Sequence, residues 1–145
     1  MKRISRKRIR YANRHRKASS LEVLVAGRLQ ELGIPFKREY ALGQCHVDFA
    51  VPAPQLPKGQ LLVEINGCYF HGCMRCFPTQ HKKRAARARE RDRRRYTFFH
   101  SRGYALLVLW GCDVNDNLVR EVRKITNIVR NRGQARLMLW KPEES

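Results

Sequence analysis

Reading from residue 19 onward, the apolar residues Leu21, Leu24, Val25, Leu29 and Leu32 recur at helical spacing. Ser19 and Glu22 form a capping-box pair at the start of this pattern, and Gly33 and Pro35 end it. The period then shortens. Phe36 to Tyr40 predicts a first strand. His46 to Val51 alternates, with Val47, Phe49 and Val51 on one face and His46, Asp48 and Ala50 on the other. Two proline-rich turns, around Pro52–Pro54 and Pro57–Gly59, lead to a strand over Leu61–Asn66 that places Leu62, Glu64 and Asn66 together. Residues 80–101 read as a polar, strongly basic helix. The continuous apolar run Tyr104–Trp110 predicts a central strand buried on both faces. Asn115 to Asn131 predicts one long helix with Leu118, Val122, Ile125 and Val129 in a stripe. Helix, strands, helix, strand, helix is the order of an α/β domain with a mixed sheet. That domain is expected over residues 19–145, after a basic arm at 1–18.

Composition narrows the class of function. The chain has 145 residues, 43% of them apolar, which suffices for a buried core and argues against a disordered basic tail. No apolar run approaches the roughly 20 residues that span a bilayer, so no membrane partner is expected. Met1 to Lys17 lacks the apolar stretch of a secretory signal, so a reducing, cytoplasmic setting is expected. Lys and Arg number 31 against 12 Asp and Glu, a net charge of +19, which calls for a polyanionic partner. Eighteen of these cations fall in two segments, residues 2–17 and 82–95. Arg14, Arg16 and Lys17 in the first, and Lys82, Lys83, Arg91 and Arg94 in the second, are candidate phosphate contacts.

Five cysteines, an odd number, do not suggest a simple disulfide framework. Cys68, Cys73 and Cys76 lie within nine residues, and Cys112 returns after the apolar strand. Four thiolates suit a closed, tetrahedral, structural zinc site, with His71 as an alternative ligand inside the cluster and Cys45 as a spare. The scarce acids matter on so basic a chain. Asp48 and Glu64 fall on the polar faces of neighbouring strands, as carboxylates do when they hold Mg²⁺ beside a phosphate. Asp92 has Arg95 as an intrahelical i+3 partner.

Glu64-Ile65-Asn66-Gly67-Cys68-Tyr69-Phe70-His71-Gly72-Cys73 resembles the metal-binding core of the very-short-patch-repair (Vsr) endonucleases. Glu90-Arg91-Asp92-Arg93-Arg94 and the run from Gly103-Tyr104 through Val108-Leu109-Trp110-Gly111-Cys112 resemble two further blocks of that family. Glu22 and Val47-Asp48-Phe49 match upstream positions, so that the likeness covers roughly residues 11 to 130, a single-domain span. Related homing endonucleases share an acid, acid, histidine, acid signature that maps onto Glu22, Asp48, His71 and Asp92. The resemblance implies a PD-(D/E)XK nuclease fold: three layers about a central mixed β-sheet, with a structural zinc. It implies Asp48 as principal Mg²⁺ ligand, His71 as general acid or base, and Glu22 and Asp92 in support. It places Cys68, Cys73, Cys76 and Cys112 at the zinc, Tyr69 and Phe70 at an aromatic wedge between base pairs, and Tyr11 at the offset of a wedge residue on the arm.

The chain departs from the repair enzymes in three ways. Cys73 stands where they have a histidine, and the last cysteine is displaced by one residue. Glu64 is acidic where theirs is not, which makes it a candidate second Mg²⁺ ligand. Asn66 replaces their histidine, and also the lysine of the general nuclease motif. Mismatch repair is therefore not carried over, and a homing or phage-encoded relative is equally indicated. The expected function is Mg²⁺-dependent hydrolysis of double-stranded DNA by a monomer or weak dimer, bacterial or phage-encoded and nucleoid-associated. The alternative is a non-catalytic, zinc-stabilised nucleic-acid-binding protein.

Overall fold

A computed structural model describes residues 19–78 and 82–142. The basic arm, with Tyr11, Arg14, Arg16 and Lys17, lies outside the described residues. Helix α1 spans Ser20–Glu31, and its N-cap Ser19 accepts the Glu22 N–H at 3.2 Å, as the capping box predicts. Strands β1 (Lys37–Leu42), β2 (Cys45–Pro52) and β3 (Gln60–Asn66) follow, with a 3₁₀ turn at Pro57–Gly59 before β3. A single-turn helix α2 (Cys68–His71) leads to the long helix α3 (Lys82–Ser101), strand β4 (Ala105–Trp110), helix α4 (Gly111–Asp116) and helix α5 (Leu118–Val129).

The described strands form one mixed sheet in the order β1-β2-β3-β4. The first two pairings are antiparallel and the β3–β4 pairing is parallel. Two apolar clusters flank it. Val25 and Leu29 of α1, Val114 of α4 and Val122, Ile125 and Ile128 of α5 pack with Phe49, Val51, Leu61, Val63, Leu107 and Leu109 on one side. Tyr96 and Phe99 of α3 pack with Val47, Ala50, Leu62 and Leu106 on the other. The basic helix is therefore amphipathic in an unusual way. Ala85, Ala88, Asp92, Tyr96 and Phe99 are buried, while Lys82, Lys83, Arg84, Arg87, Arg91 and Arg94 are exposed.

Four expectations need correction. Strand β4 is buried on both faces but is an edge of the described sheet, not its centre. The chain after the 3₁₀ turn Ala135–Met138 partly covers that edge, with the Trp140 N–H donating to the Leu106 carbonyl at 2.8 Å. The single helix expected over Asn115–Asn131 is broken at Asn117, with α4 ending at Asp116 and α5 starting at Leu118. Asn117 has φ −155° and caps α5 by accepting the Arg120 N–H at 3.0 Å. In α1, Leu24 and Leu32 face outward, and Val25, Ala26 and Leu29 carry the burial. In β2, Val47 does not join Phe49 and Val51 but packs in the α3-side cluster. The alternation slips at Asp48. There the β2–β3 register ends at Phe49↔Val63, and the β1 residue between the Arg38↔Phe49 and Tyr40↔Val47 pairs, Glu39, has φ 47°.

Because Asn117 satisfies a helix-end N–H that alanine cannot, Asn117→Ala should cost about 1 kcal/mol of unfolding free energy, and Asn117→Asp much less. Equal losses in urea denaturation of the two variants would remove the capping role.

Candidate active site and thiol cluster

The site begins where β2 and β3 part. Beyond Phe49↔Val63 the two strands are linked through side-chain carboxylates. The Ile65 N–H donates to Asp48 Oδ2 at 2.8 Å, and the Asp48 N–H donates to Glu64 Oε1 at 3.2 Å. Two carboxylates thus stand side by side at the fork. Glu64 is 3% exposed, and a buried carboxylate needs a counter-charge. Arg95 of α3 supplies it with two nearly parallel hydrogen bonds, Nη1 to Oε2 at 2.9 Å and Nη2 to Oε1 at 2.6 Å. Arg95 also donates to the His46 carbonyl.

Asp48 has no such clamp. Burial, and then the neighbouring charge of Glu64, push its carboxyl up to about 8. The charge of Glu22 acts in the same direction. Glu22 itself is raised by burial, against the pull of Ser19 and Arg38, and its carboxylate lies 3.6 Å from the Arg38 guanidinium. Glu22, Asp48 and Glu64 therefore make one acidic group. Negative charge here exceeds what Arg95 and Arg38 balance, and its donors are the hard oxygens that suit Mg²⁺.

The second half of the site is a dyad. His71, the last residue of α2, has Nδ1 2.7 Å from Asp92 Oδ2. Asp92 is 5% exposed and also lies 3.8 Å from the Arg91 guanidinium. A carboxylate at Nδ1 orients the ring and leaves Nε2 for proton transfer. Asp92 thus pairs across to α2 rather than with Arg95, which is committed to Glu64. Next to the dyad, Asn66 Nδ2 donates to the Tyr96 hydroxyl at 2.6 Å. Asn66 Oδ1 is buried without a hydrogen-bond partner among the described residues, an arrangement that costs about 1–3 kcal/mol. His71, Asp92, Asn66 and Tyr96 line one cavity of about 640 Å³.

Arg95 and Tyr96 are the site residues that the sequence reading missed. The available signal was their i+3 and i+4 spacing from Asp92, which puts all three on the inner face of α3. Of the surface candidates, Lys82, Lys83, Arg91 and Arg94 are exposed on α3, although Arg94 lies 3.3 Å from Glu90. Tyr69 and Phe70 are exposed and meet edge to face at 5.4 Å. The Arg84 guanidinium lies 4.1 Å from the Tyr69 ring centre.

Cys68, Cys73, Cys76 and Cys112 converge, with all four sulfurs within 4.8 Å of one another. Cys73 and Cys112 are 3.9 Å apart, and a tetrahedral zinc with bonds of about 2.3 Å holds its sulfurs about 3.8 Å apart. The tetrad could hold one zinc ion. Backbone donors favour thiolates there. The Cys112 N–H donates to Cys68 Sγ at 3.2 Å. Burial pushes the Cys73 thiol up, but hydrogen bonds from the Cys76 and Arg75 backbone outweigh it, and the net shift is downward. Burial, the largest cause, leaves Cys68 raised. Cys45 stands outside the tetrad, and His71 bonds Asp92 instead of joining it. Gly72 makes the turn from His71 to Cys73 possible. Its φ is 68°, and a Cβ there would sit 2.7 Å from the Ala85 carbonyl of α3.

No protein-family model matches the chain, and no curated protein matches it. A solved structure described as a homing endonuclease I-Bth0305I catalytic domain is similar to it, with a TM-score of 0.55 and 20% identity over 79% of this chain and 97% of that one. The chain shares the fold of that domain. Among the described residues, no helix is long and apolar enough to cross a membrane.

Metal analysis should find about one zinc per chain, and Cys73→Ser should lose it together with thermal stability. Full zinc retention in that variant would exclude Cys73 as a ligand. A second expectation concerns pH. The folded value of Asp48 lies above the ordinary 3.8, so its protonated form favours the fold. That stability is complete below pH 3.8 and is lost as pH rises through about 8. Asparagine has the same shape and never ionises, so it escapes this loss. In metal-free buffer, Asp48→Asn should therefore melt several degrees above the parent at pH 8 and level with it near pH 4. A gap that does not vary with pH would refute the buried-charge assignment.

Proposed function

We propose that the chain is a divalent-metal-dependent DNA endonuclease of the PD-(D/E)XK kind, with residues 19–145 as the catalytic domain and 1–18 as a DNA-gripping arm. The observation that carries this reading is the placement of the Asp48–Glu64 fork and the His71–Asp92 dyad on adjoining elements of a fold shared with a homing endonuclease catalytic domain. A pure binding protein has no use for two adjacent acids, Glu64 buried and Asp48 half-buried, the latter with its carboxyl raised to about 8. The non-catalytic alternative is favoured by one observation, that Arg95 already engages both oxygens of Glu64.

In this mechanism Asp48 is the principal Mg²⁺ ligand. Glu64, which already accepts from Arg95 and the Asp48 N–H, would be the second. Mg²⁺ held there would neutralise the scissile phosphate and acidify an attacking water. Glu22 adds negative charge beside Asp48 and raises the affinity of the group for a cation. Asp92 holds His71 by Nδ1, so that Nε2 gives or takes the proton at the reacting phosphodiester. Arg95 keeps Glu64 fixed through its two hydrogen bonds. The exposed cations Lys82, Lys83, Arg91 and Arg94 hold phosphates, and the Tyr69–Phe70 pair with Arg84 presses against the bases. Cys68, Cys73, Cys76 and Cys112 would hold a structural zinc that keeps α2 in place.

The departures at Glu64 and Asn66 favour a homing-type enzyme that cuts or nicks paired DNA over a mismatch-repair enzyme. Plasmid nicking in Mg²⁺ should vanish with EDTA, and Asp48→Ala should lower it by at least about a hundredfold while leaving DNA affinity nearly unchanged. Binding without cleavage by the wild-type chain, or undiminished nicking by the variant, would overturn the proposal.

A further inference from the structure

We propose that the cavity between α3, β4 and the C-terminal segment receives a single nucleobase drawn out of the stack of the bound DNA. The inference rests on the endonuclease reading and adds what the site does with a nucleotide near the cut. The cavity, about 640 Å³, is of the size that takes small ligands and is ample for one base. Its walls include Trp110 and Trp140, the only two tryptophans of the chain, together with Tyr96. Flat aromatic walls are what an unstacked base needs in place of its neighbours. Tyr96 and Trp140 meet edge to face at 5.6 Å, which fixes one corner of the slot.

Two further features distinguish a base from an apolar side chain as occupant. Asn66 belongs to the same wall, and its Oδ1, buried without a partner among the described residues, would accept a base N–H on turning into the cavity. Arg89 and Arg93 also line the cavity. Arg89 is anchored on the Gly72 carbonyl at 3.0 Å, which presents its guanidinium beside the α2 turn, where a flanking phosphate would pass. His71 and Asp92 share the cavity, so a base held here places its own phosphate at the dyad. Extrusion would then contribute to choosing the phosphodiester that is cut, since unstacking is cheapest at an unpaired or weakly paired nucleotide.

Because both tryptophans line the cavity, intrinsic emission reports on it directly. The experiment uses the zinc-loaded full chain carrying Asp48→Ala, which binds without cutting. The probes are three duplexes that differ only at the centre: fully paired, one bulged adenosine, and the same bulge without its base. The base-bearing bulge is expected to bind about tenfold tighter than the abasic one and to quench tryptophan emission, which the abasic one leaves unchanged. Adding Asn66→Ala or Trp140→Ala should bring the ratio towards one while the abasic affinity stays, and Trp140→Phe should keep the ratio. Each variant is checked by thermal melting, so misfolding is seen separately. Equal affinity and equal emission for the two bulges, or a ratio that persists in both alanine variants, overturns the pocket. Cleavage of the paired duplex by the wild-type chain in Mg²⁺ is followed in parallel. If it proceeds while the bulges bind equally, the pocket alone is wrong. If nothing is cleaved, the endonuclease reading is what fails.

Discussion

The structure turns on the fork between β2 and β3. A sheet normally satisfies its backbone donors with backbone carbonyls. Here the N–H groups of Ile65 and Asp48 are given to the carboxylates of Asp48 and Glu64 instead. The exchange helps to orient both acids, but it sets like charges side by side, Glu64 buried and Asp48 half-buried. Everything around the fork answers that cost. Arg95 neutralises Glu64 from the next layer, Arg38 lies beside Glu22, and Asp48 is left with a strong preference for a proton or a cation. A positively charged helix laid across the acidic strands is thus a folding requirement as well as the surface proposed to hold phosphates.

A second constraint is the placement of His71. A four-residue helix has too few hydrogen bonds to persist by itself. The thiol tetrad fastens it, since Cys68 opens the helix, Cys73 and Cys76 follow it, and Cys112 ties it to the first turn of α4. Gly72 lets it lie against Ala85 of α3. A metal in the tetrad would hold the imidazole 2.7 Å from Asp92. Metal loss would then remove the dyad before it disturbed the fork.

Helix α3 joins the two halves. Its inner face carries Asp92, Arg95, Tyr96 and Phe99, which meet His71, Glu64, Asn66 and the core in turn. Its outer face carries the exposed Lys82, Lys83, Arg84, Arg87, Arg91 and Arg94. Inward charges are matched one to one by buried partners. Outward charges are mostly in excess, and the phosphate partner proposed here would take them up. Along α3 the charge is thus divided: Arg95 inside serves Glu64, and the cations outside are those proposed to meet phosphate.

Local signals were sufficient for much of this. The capping box at Ser19–Glu22, the alternating strands, the stripe of α5 and the spacing of Cys68, Cys73 and Cys76 are short-range patterns, and each forms the element they predict. Pairings across the fold were not legible in that way. Asp92 has a suitable neighbour in Arg95 along the helix, yet it pairs with His71, because only packing reveals that Arg95 can reach Glu64. Tyr104–Trp110 reads as central because it is apolar throughout, yet β4 is an edge shielded by Trp140 and the chain around it. Burial leaves an imprint on composition, whereas strand order does not. The sequence alone determined which elements form and which chemistry-bearing residues are available. Only the tertiary structure decided which acid meets which base, because that choice depends on distances between residues far apart in the chain and on the charge each must neutralise once water is excluded.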